Sequence, residues 1–159
     1  MSVQKVRDYL KQFGLDGKIH EFQESSATVE LAAQAVGVIP ARIAKTLSFK
    51  TGEDCILICA AGDAKIDNKK FKECFHTKAK MLTPEEVVSY TGHAIGGVCP
   101  FALENPKVKV YLDVSMKRFE VVYPAAGSAS SAVELTLPEL EKASGSAGWI
   151  DVCKGWQEE

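Results

Sequence analysis

The chain has 159 residues, 46% hydrophobic and 25% charged, with a formal net charge of −2. That length suits one domain with a sizeable core, taken here as residues 1–159, and the composition excludes a disordered or fibrous chain. The near-neutral charge excludes bulk electrostatic capture of nucleic acid. No run approaches the roughly 18 uninterrupted apolar residues of a membrane span, so a soluble cytoplasmic protein, monomeric or weakly oligomeric and with no membrane partner, is expected.

The opening MSVQKVRDYLKQFG lacks the apolar block of a signal peptide. Val3, Val6, Leu10 and Phe13 fall at helical spacing, and Gly14 stops the helix. KIHEFQ alternates Ile19 with Glu21 and His20 with Phe22, which predicts a short strand. TVELAAQAVG is helical, capped by Ser26 or Thr28 and ended by Gly37. Pro40 opens a turn into AKTLSFKTGEDCILICAAG, read as a strand, a Gly-Glu-Asp turn and a second, more buried strand.

DNKKFKECF is a short helix and TPEEVVSY a better marked one. There Thr83 is the cap, Pro84 takes the first helical position, and Glu86 completes a capping box. KVKVYLD and FEVVYP are strands joined by a turn or short helix at VSMKR. AVELTL reads as one further strand, PELEKAS as a helix and WIDVC as one last strand. AAGSASSA, Ala125 to Ala132, is a loop of small residues. Strands mixed among helices, without βαβ alternation or repeats, predict an α+β (mixed α/β) domain on a mixed, curved sheet.

The five cysteines (Cys55, Cys59, Cys74, Cys99 and Cys153) form no C-x-x-C pair, and the three histidines are isolated. Neither a disulfide framework nor a metal site is expected. Lys65, Lys69, Lys70, Lys72, Lys78 and Lys80 crowd one segment opposed only by Asp67 and Glu73. Such a run is either a solvated face or a footing for phosphates.

GHAIGGVCPFAL, Gly92 to Leu103, fits neither helix nor strand. Gly96 and Gly97 permit dihedrals closed to other residues and let a ligand approach bare main chain, while Pro100 holds Cys99 extended. Ile95, Val98 and Phe101 are the expected anchors to the core. This is either a tight turn or a cradle of backbone N–H groups for developing negative charge. Lys45, beside Thr46 where a turn enters an apolar strand, either snorkels to water or binds a phosphate or polarised carbonyl.

AKTLSFK, followed about fifty residues later by TGHAIGGVCPFAL, resembles the YbaK/ProX family of aminoacyl-tRNA deacylases. These are relatives of the editing domain inserted in bacterial prolyl-tRNA synthetases. The family pattern is a lysine on an early strand, here Lys45 followed by Thr46, and then a G-x-x-x-P loop, here Gly96 to Pro100. The likeness runs from about Val3 to Cys153.

It implies a barrel-like mixed sheet with helices outside, and hydrolysis in trans of the ester joining a wrong amino acid to a tRNA 3′ end. Mischarged aminoacyl-tRNA is the implied partner, with an aminoacyl-tRNA synthetase a further one. No cofactor and no covalent nucleophile are implied. Carried over, Lys45, Gly96 and Gly97 become the catalytic positions. Thr46, His93, Val98, Cys99 and Pro100 become substrate-binding, with Phe22 and Phe101 as aromatics for unpaired bases.

Two departures bear on specificity. Ala125 and Ala132 stand where several relatives carry Ser and Asp, with Ser128, Ser130 and Ser131 nearby as replacements. Cys99 stands where Ser, Thr or Gly is frequent. Two other readings compete: a non-catalytic module binding tRNA ends or a synthetase, and a cysteine hydrolase pairing Cys99 with His93.

Overall fold

The computed structural model describes residues 2–52, 54–94 and 96–156. Glu53 of the expected hairpin turn and the expected anchor Ile95 lie outside the described residues. The chain begins with helix α1 (Ser2–Lys11), strand β1 (Ile19–Glu21) and helix α2 (Val29–Val36). A hairpin of β2 (Ile43–Thr51) and β3 (Asp54–Ala61) follows, then β4 (Lys65–Ile66), α3 (Asn68–Phe75) and α4 (Pro84–Thr91). The second half holds β5 (Val108–Asp113), β6 (Val121–Pro124), β7 (Ser131–Val133), β8 (Leu135–Thr136), α5 (Leu137–Ser144), β9 (Trp149–Ile150) and β10 (Cys153–Lys154).

Six strands form one curled mixed sheet in the order β8-β6-β2-β3-β5-β9. β2 and β3 are antiparallel, with Lys45 opposite Ala60, whereas β3 runs parallel to β5. Burial explains the order. From Cys55 to Ala61 every residue of β3 is buried, the mark of a central strand covered on both faces. β2 is only half-buried at Lys45, Thr46 and Leu47, because one of its sides opens to a cavity.

Local chemistry fixes the helix ends. Thr28 Oγ1 accepts the Leu31 N–H and Gly37 closes α2 at φ 87°. Thr83 and Glu86 form the expected capping box, and Thr136 with Glu139 forms a second, at α5. A chain of tilted and edge-on rings seats α3 on the sheet: Phe49–Phe71 at 5.0 Å, Phe71–Phe75 at 4.8 Å and Phe75–Tyr111 at 5.2 Å between centroids. Phe71 is fully buried, a burial that contributes about 1.5–3 kcal/mol.

Two expected strands are each two. AVELTL breaks at Glu134, whose N–H donates to the Lys18 carbonyl. β7 therefore pairs with β1, while β8 pairs with β6 in the main sheet. WIDVC breaks before Val152, whose N–H turns to Asp113 Oδ1 at 2.9 Å. β9 extends the main sheet beside β5, and β10 pairs instead with the short, unanticipated β4. The AAGSASSA loop is shorter than expected, since Ser131 and Ala132 already belong to β7.

Candidate active site

A cavity of about 330 Å³ opens between β2, α2, the segment leading into α4, and the loops at Gly96 and Ala125. Its walls are mainly apolar, including Ile43, Leu47, Leu82, Val87 and Val98. Polar contributions come from Lys45, Thr46, Ser26, Thr28, Ser48, Tyr123 and Ser131, with no acidic side chain among the described lining residues. β2 supplies the floor, and Met81, bridged to Phe49, brings the next wall against it. The opposite wall is zipped by Ser26 N–H donating to the Ala129 carbonyl at 2.6 Å and Phe22 N–H to Ser130 at 2.8 Å.

Lys45 lies half-buried in this cavity. Its ammonium donates to the carbonyl of Ala64 and, at 3.5 Å, to that of Gly62. An ammonium has three N–H bonds, so one remains for a ligand. Burial holds its pKa below the ordinary lysine value, and the Asp63 carboxylate works against that depression. Cys153 also lies close, but burial pushes its thiol up to about 12, so at neutral pH it brings no charge.

Gly96 faces Lys45's cavity with φ 96°, and Val98 lines it as well. Gly97 does something different. It is buried, its N–H donates to the Ala94 carbonyl at 3.0 Å, and it does not line the cavity. A Cβ there would sit 2.6 Å from Ser128 N and 2.7 Å from Gly127 C. The second glycine thus admits a neighbouring stretch of the protein's own main chain rather than a ligand.

Thr46 lines the cavity beside Lys45, whereas the remaining predicted site residues stand outside its lining. Phe22 is half-buried beside Ser130 in the turn before β7, and Pro100 and Phe101 are buried behind the glycine loop. His93 and Cys99 do meet, with Nε2 3.6 Å from Sγ, but both are fully buried. His93 Nε2 also lies 2.9 Å from the Phe101 carbonyl. Burial pushes the Cys99 thiol up to about 12, and burial lowers the His93 pKa. A fully buried, protonated thiol outside the cavity lacks the exposure and thiolate character of a nucleophile, which argues against the cysteine-hydrolase reading.

Several lining residues were not singled out in the sequence. Ile43 and Leu47 lie two positions either side of Lys45, so strand alternation puts them on its face. Ser26 and Thr28, read above only as candidate caps, also reach the cavity, while Met81, Val87 and Tyr123 arrive through long-range packing and carry no local signal. Ala125 and Ala132, the first of the departures noted above, both line the cavity and present it with methyl groups. Among the described residues no cluster of three or more His, Cys, Asp or Glu could hold a metal.

A half-buried lysine and a glycine loop share one mainly apolar cavity on a curled mixed sheet. The profile of the aminoacyl-tRNA editing domain matches residues 23–143, and the chain belongs to that family. It is 56% identical over 158 residues to the uncharacterized protein YwhH of Bacillus subtilis (strain 168), spanning 99% of this chain and 100% of that one. Similarity to the proline–tRNA ligase of Thermotoga maritima is 28% over 95 residues, 59% of this chain but 16% of the ligase. Among solved structures, a candidate trans-editing enzyme for prolyl tRNA synthetase superposes with a TM-score of 0.87 at 31% identity, covering 97% of this chain and 98% of that one. Among the described residues no helix is long and apolar enough to cross a membrane.

Proposed function

We propose that the protein is a trans-acting aminoacyl-tRNA deacylase of the cytoplasm, with residues 1–159 working as one domain. Its substrate is a tRNA carrying the wrong amino acid, and a synthetase that makes the mistake is its natural neighbour. The observation that carries this reading is the meeting of Lys45 and Gly96 in one cavity within a chain of the editing family. The need for such an enzyme is physical: one methylene in a pocket is worth only about 1–3 kcal/mol, so a synthetase cannot exclude every close analogue.

In this reading the aminoacyl group lies on β2, its side chain among Ile43, Leu47 and Val98 and beside Ala125 and Ala132. The free N–H of Lys45 anchors an oxygen of the terminal nucleotide or the ester, and Gly96 lets the ester lie against main chain. Water adds to the ester carbon, the bond to the ribose oxygen breaks, and that oxygen leaves with a proton. An activated ester held beside an oriented water needs little more than position and charge stabilisation.

The exposed lysines Lys65, Lys69, Lys72, Lys78 and Lys80 supply phosphate contacts in this reading, while Lys70 is already tied to Asp151 at 3.1 Å. Affinity for tRNA should then fall as salt rises, and less steeply when these lysines are changed to glutamine. The decisive experiment is a deacylation screen over a panel of mischarged tRNAs. Release of at least one amino acid is expected; binding without release of any would replace the enzyme by a tRNA-end binding module.

A further inference from the structure

Lys45 is held from behind. The two carbonyls that receive its ammonium, Gly62 and Ala64, flank Asp63 in the turn after β3. The Asp63 carboxylate accepts two bonds from one guanidinium: Arg118 Nη2 to Oδ1 at 2.6 Å and Nη1 to Oδ2 at 2.9 Å. Arg118 is itself fixed. Its Nε donates to the Ser115 carbonyl at 2.9 Å and Nη1 to that of Trp156 at 3.2 Å, and the guanidinium lies over the rings of Phe119 and Trp156.

A second tie reaches the same turn. Ala61 N–H donates to Ser115 Oγ at 3.1 Å, while the Ser115 N–H donates to Asp113 Oδ2 at 2.9 Å. The other side of the turn has no slack, since a Cβ on Gly62 would sit 2.1 Å from the Pro40 carbonyl oxygen. An exposed ion pair ordinarily contributes little to stability. This one is forked, its arginine is anchored at four further contacts, and it closes on the turn that carries Lys45's acceptors.

We propose that Asp63 and Arg118 are positioning residues for Lys45: their pair fixes the Gly62–Ala64 turn so that two ammonium N–H bonds are committed to carbonyls and the third faces the cavity. The activity consequence rests on the deacylase reading; the geometric claim does not. Asp63 is not the only charge near the ammonium. Glu30 also favours its protonated form, and Lys65 opposes it.

The test compares the protein with Asp63→Asn, Arg118→Met and Arg118→Lys. It uses a tRNA the screen shows to be deacylated, and it also follows acetylation of Lys45 by acetic anhydride, read by peptide mass spectrometry across pH. The melting temperature certifies each variant as folded. Expected is a fall in kcat of about ten- to a hundredfold in the first two variants, the scale of a misplaced catalytic group. Arg118→Lys should recover little, because an ammonium lacks the planar fork. The acetylation rate of the deprotonated Lys45 amine should rise in all three as the amine leaves its carbonyls.

Folded variants with an unchanged Lys45 acetylation rate overturn the proposal, whatever happens to kcat, because the pair would then act elsewhere. Unchanged kcat together with faster acetylation overturns the link between position and turnover. If the unaltered protein deacylates no tRNA, the functional reading fails on its own, and acetylation alone decides the clamp. Should Arg118→Met not fold, Asp63→Asn and Arg118→Lys carry the same comparison.

Discussion

The loop from Gly92 to Leu103 has two faces, and they divide its chemistry in an instructive way. Its front, Gly96 and Val98, lines the same cavity as Lys45. Its back buries His93, Cys99, Pro100 and Phe101 completely or nearly so. The residue types most often associated with catalysis, a histidine and a cysteine, are on the structural side. The cavity side offers main chain, an aliphatic group and a lysine from another strand. A reactive residue type says little until its exposure and protonation state are known.

The sharpest way to break that division is Lys45→Ala. If the cavity side carries the chemistry, deacylation falls by about ten- to a hundredfold, as expected for a lost charge-assisted contact, while the melting temperature holds. Turnover equal to that of the unaltered protein would move the site elsewhere. The next effect is structural. Gly97→Ala forces a Cβ against the backbone of Gly127 and Ser128, where nothing can rotate away. We expect a loss of about 1–3 kcal/mol in denaturant unfolding, the usual penalty of overpacking. An unchanged midpoint would mean that the 127–129 loop yields freely.

What could be read from the sequence follows the range of the forces involved. Thr28, Gly37 and the Thr83–Glu86 box act within four residues, and those helix ends were legible. The Thr136–Glu139 box has the same T-x-x-E signature, with Pro138 inside it, and is equally legible in the sequence. The breaks at Glu134 and before Val152 depend on partners far away in the chain, the Lys18 carbonyl and Asp113. Alternation alone could not show a strand changing sheets there. The site divides likewise: Lys45 and Gly96 were found by motif, Ile43 and Leu47 were available from strand period, and Met81 and Tyr123 depended on tertiary packing. The close approach of Gly97 to the 127–128 backbone has no sequence signal, since it joins loops about thirty residues apart.

The buried face should also answer to pH. Burial, with Lys5 nearby, depresses the pKa of His93 below its ordinary value of 6.5, against the pull of the Phe101 carbonyl. In the unfolded chain the imidazole takes a proton as pH falls through about 6.5, while in the fold it resists until a lower pH. Unfolding therefore gains a proton, and stability declines as pH drops through that window. His93→Gln keeps a donor for the Phe101 carbonyl and cannot titrate. Its melting temperature should fall less between pH 7 and pH 5 than that of the unaltered protein, and equal slopes would show that His93 does not carry the acid sensitivity in that window.

The smallest effect decides the division most directly. Cys99 lies on the back of the loop, where burial pushes its thiol up to about 12 and its sulfur meets His93 Nε2 at 3.6 Å, so it packs and takes no covalent part. Cys99→Ala removes the sulfur and leaves a small void, which lowers the unfolding midpoint a little. The deacylation rate at saturating tRNA should remain that of the unaltered protein. A nucleophile would behave in the opposite way, with rate lost and stability nearly kept. Because the two outcomes differ in which measurement moves, a single protein preparation assayed for both distinguishes a packed thiol from a catalytic one.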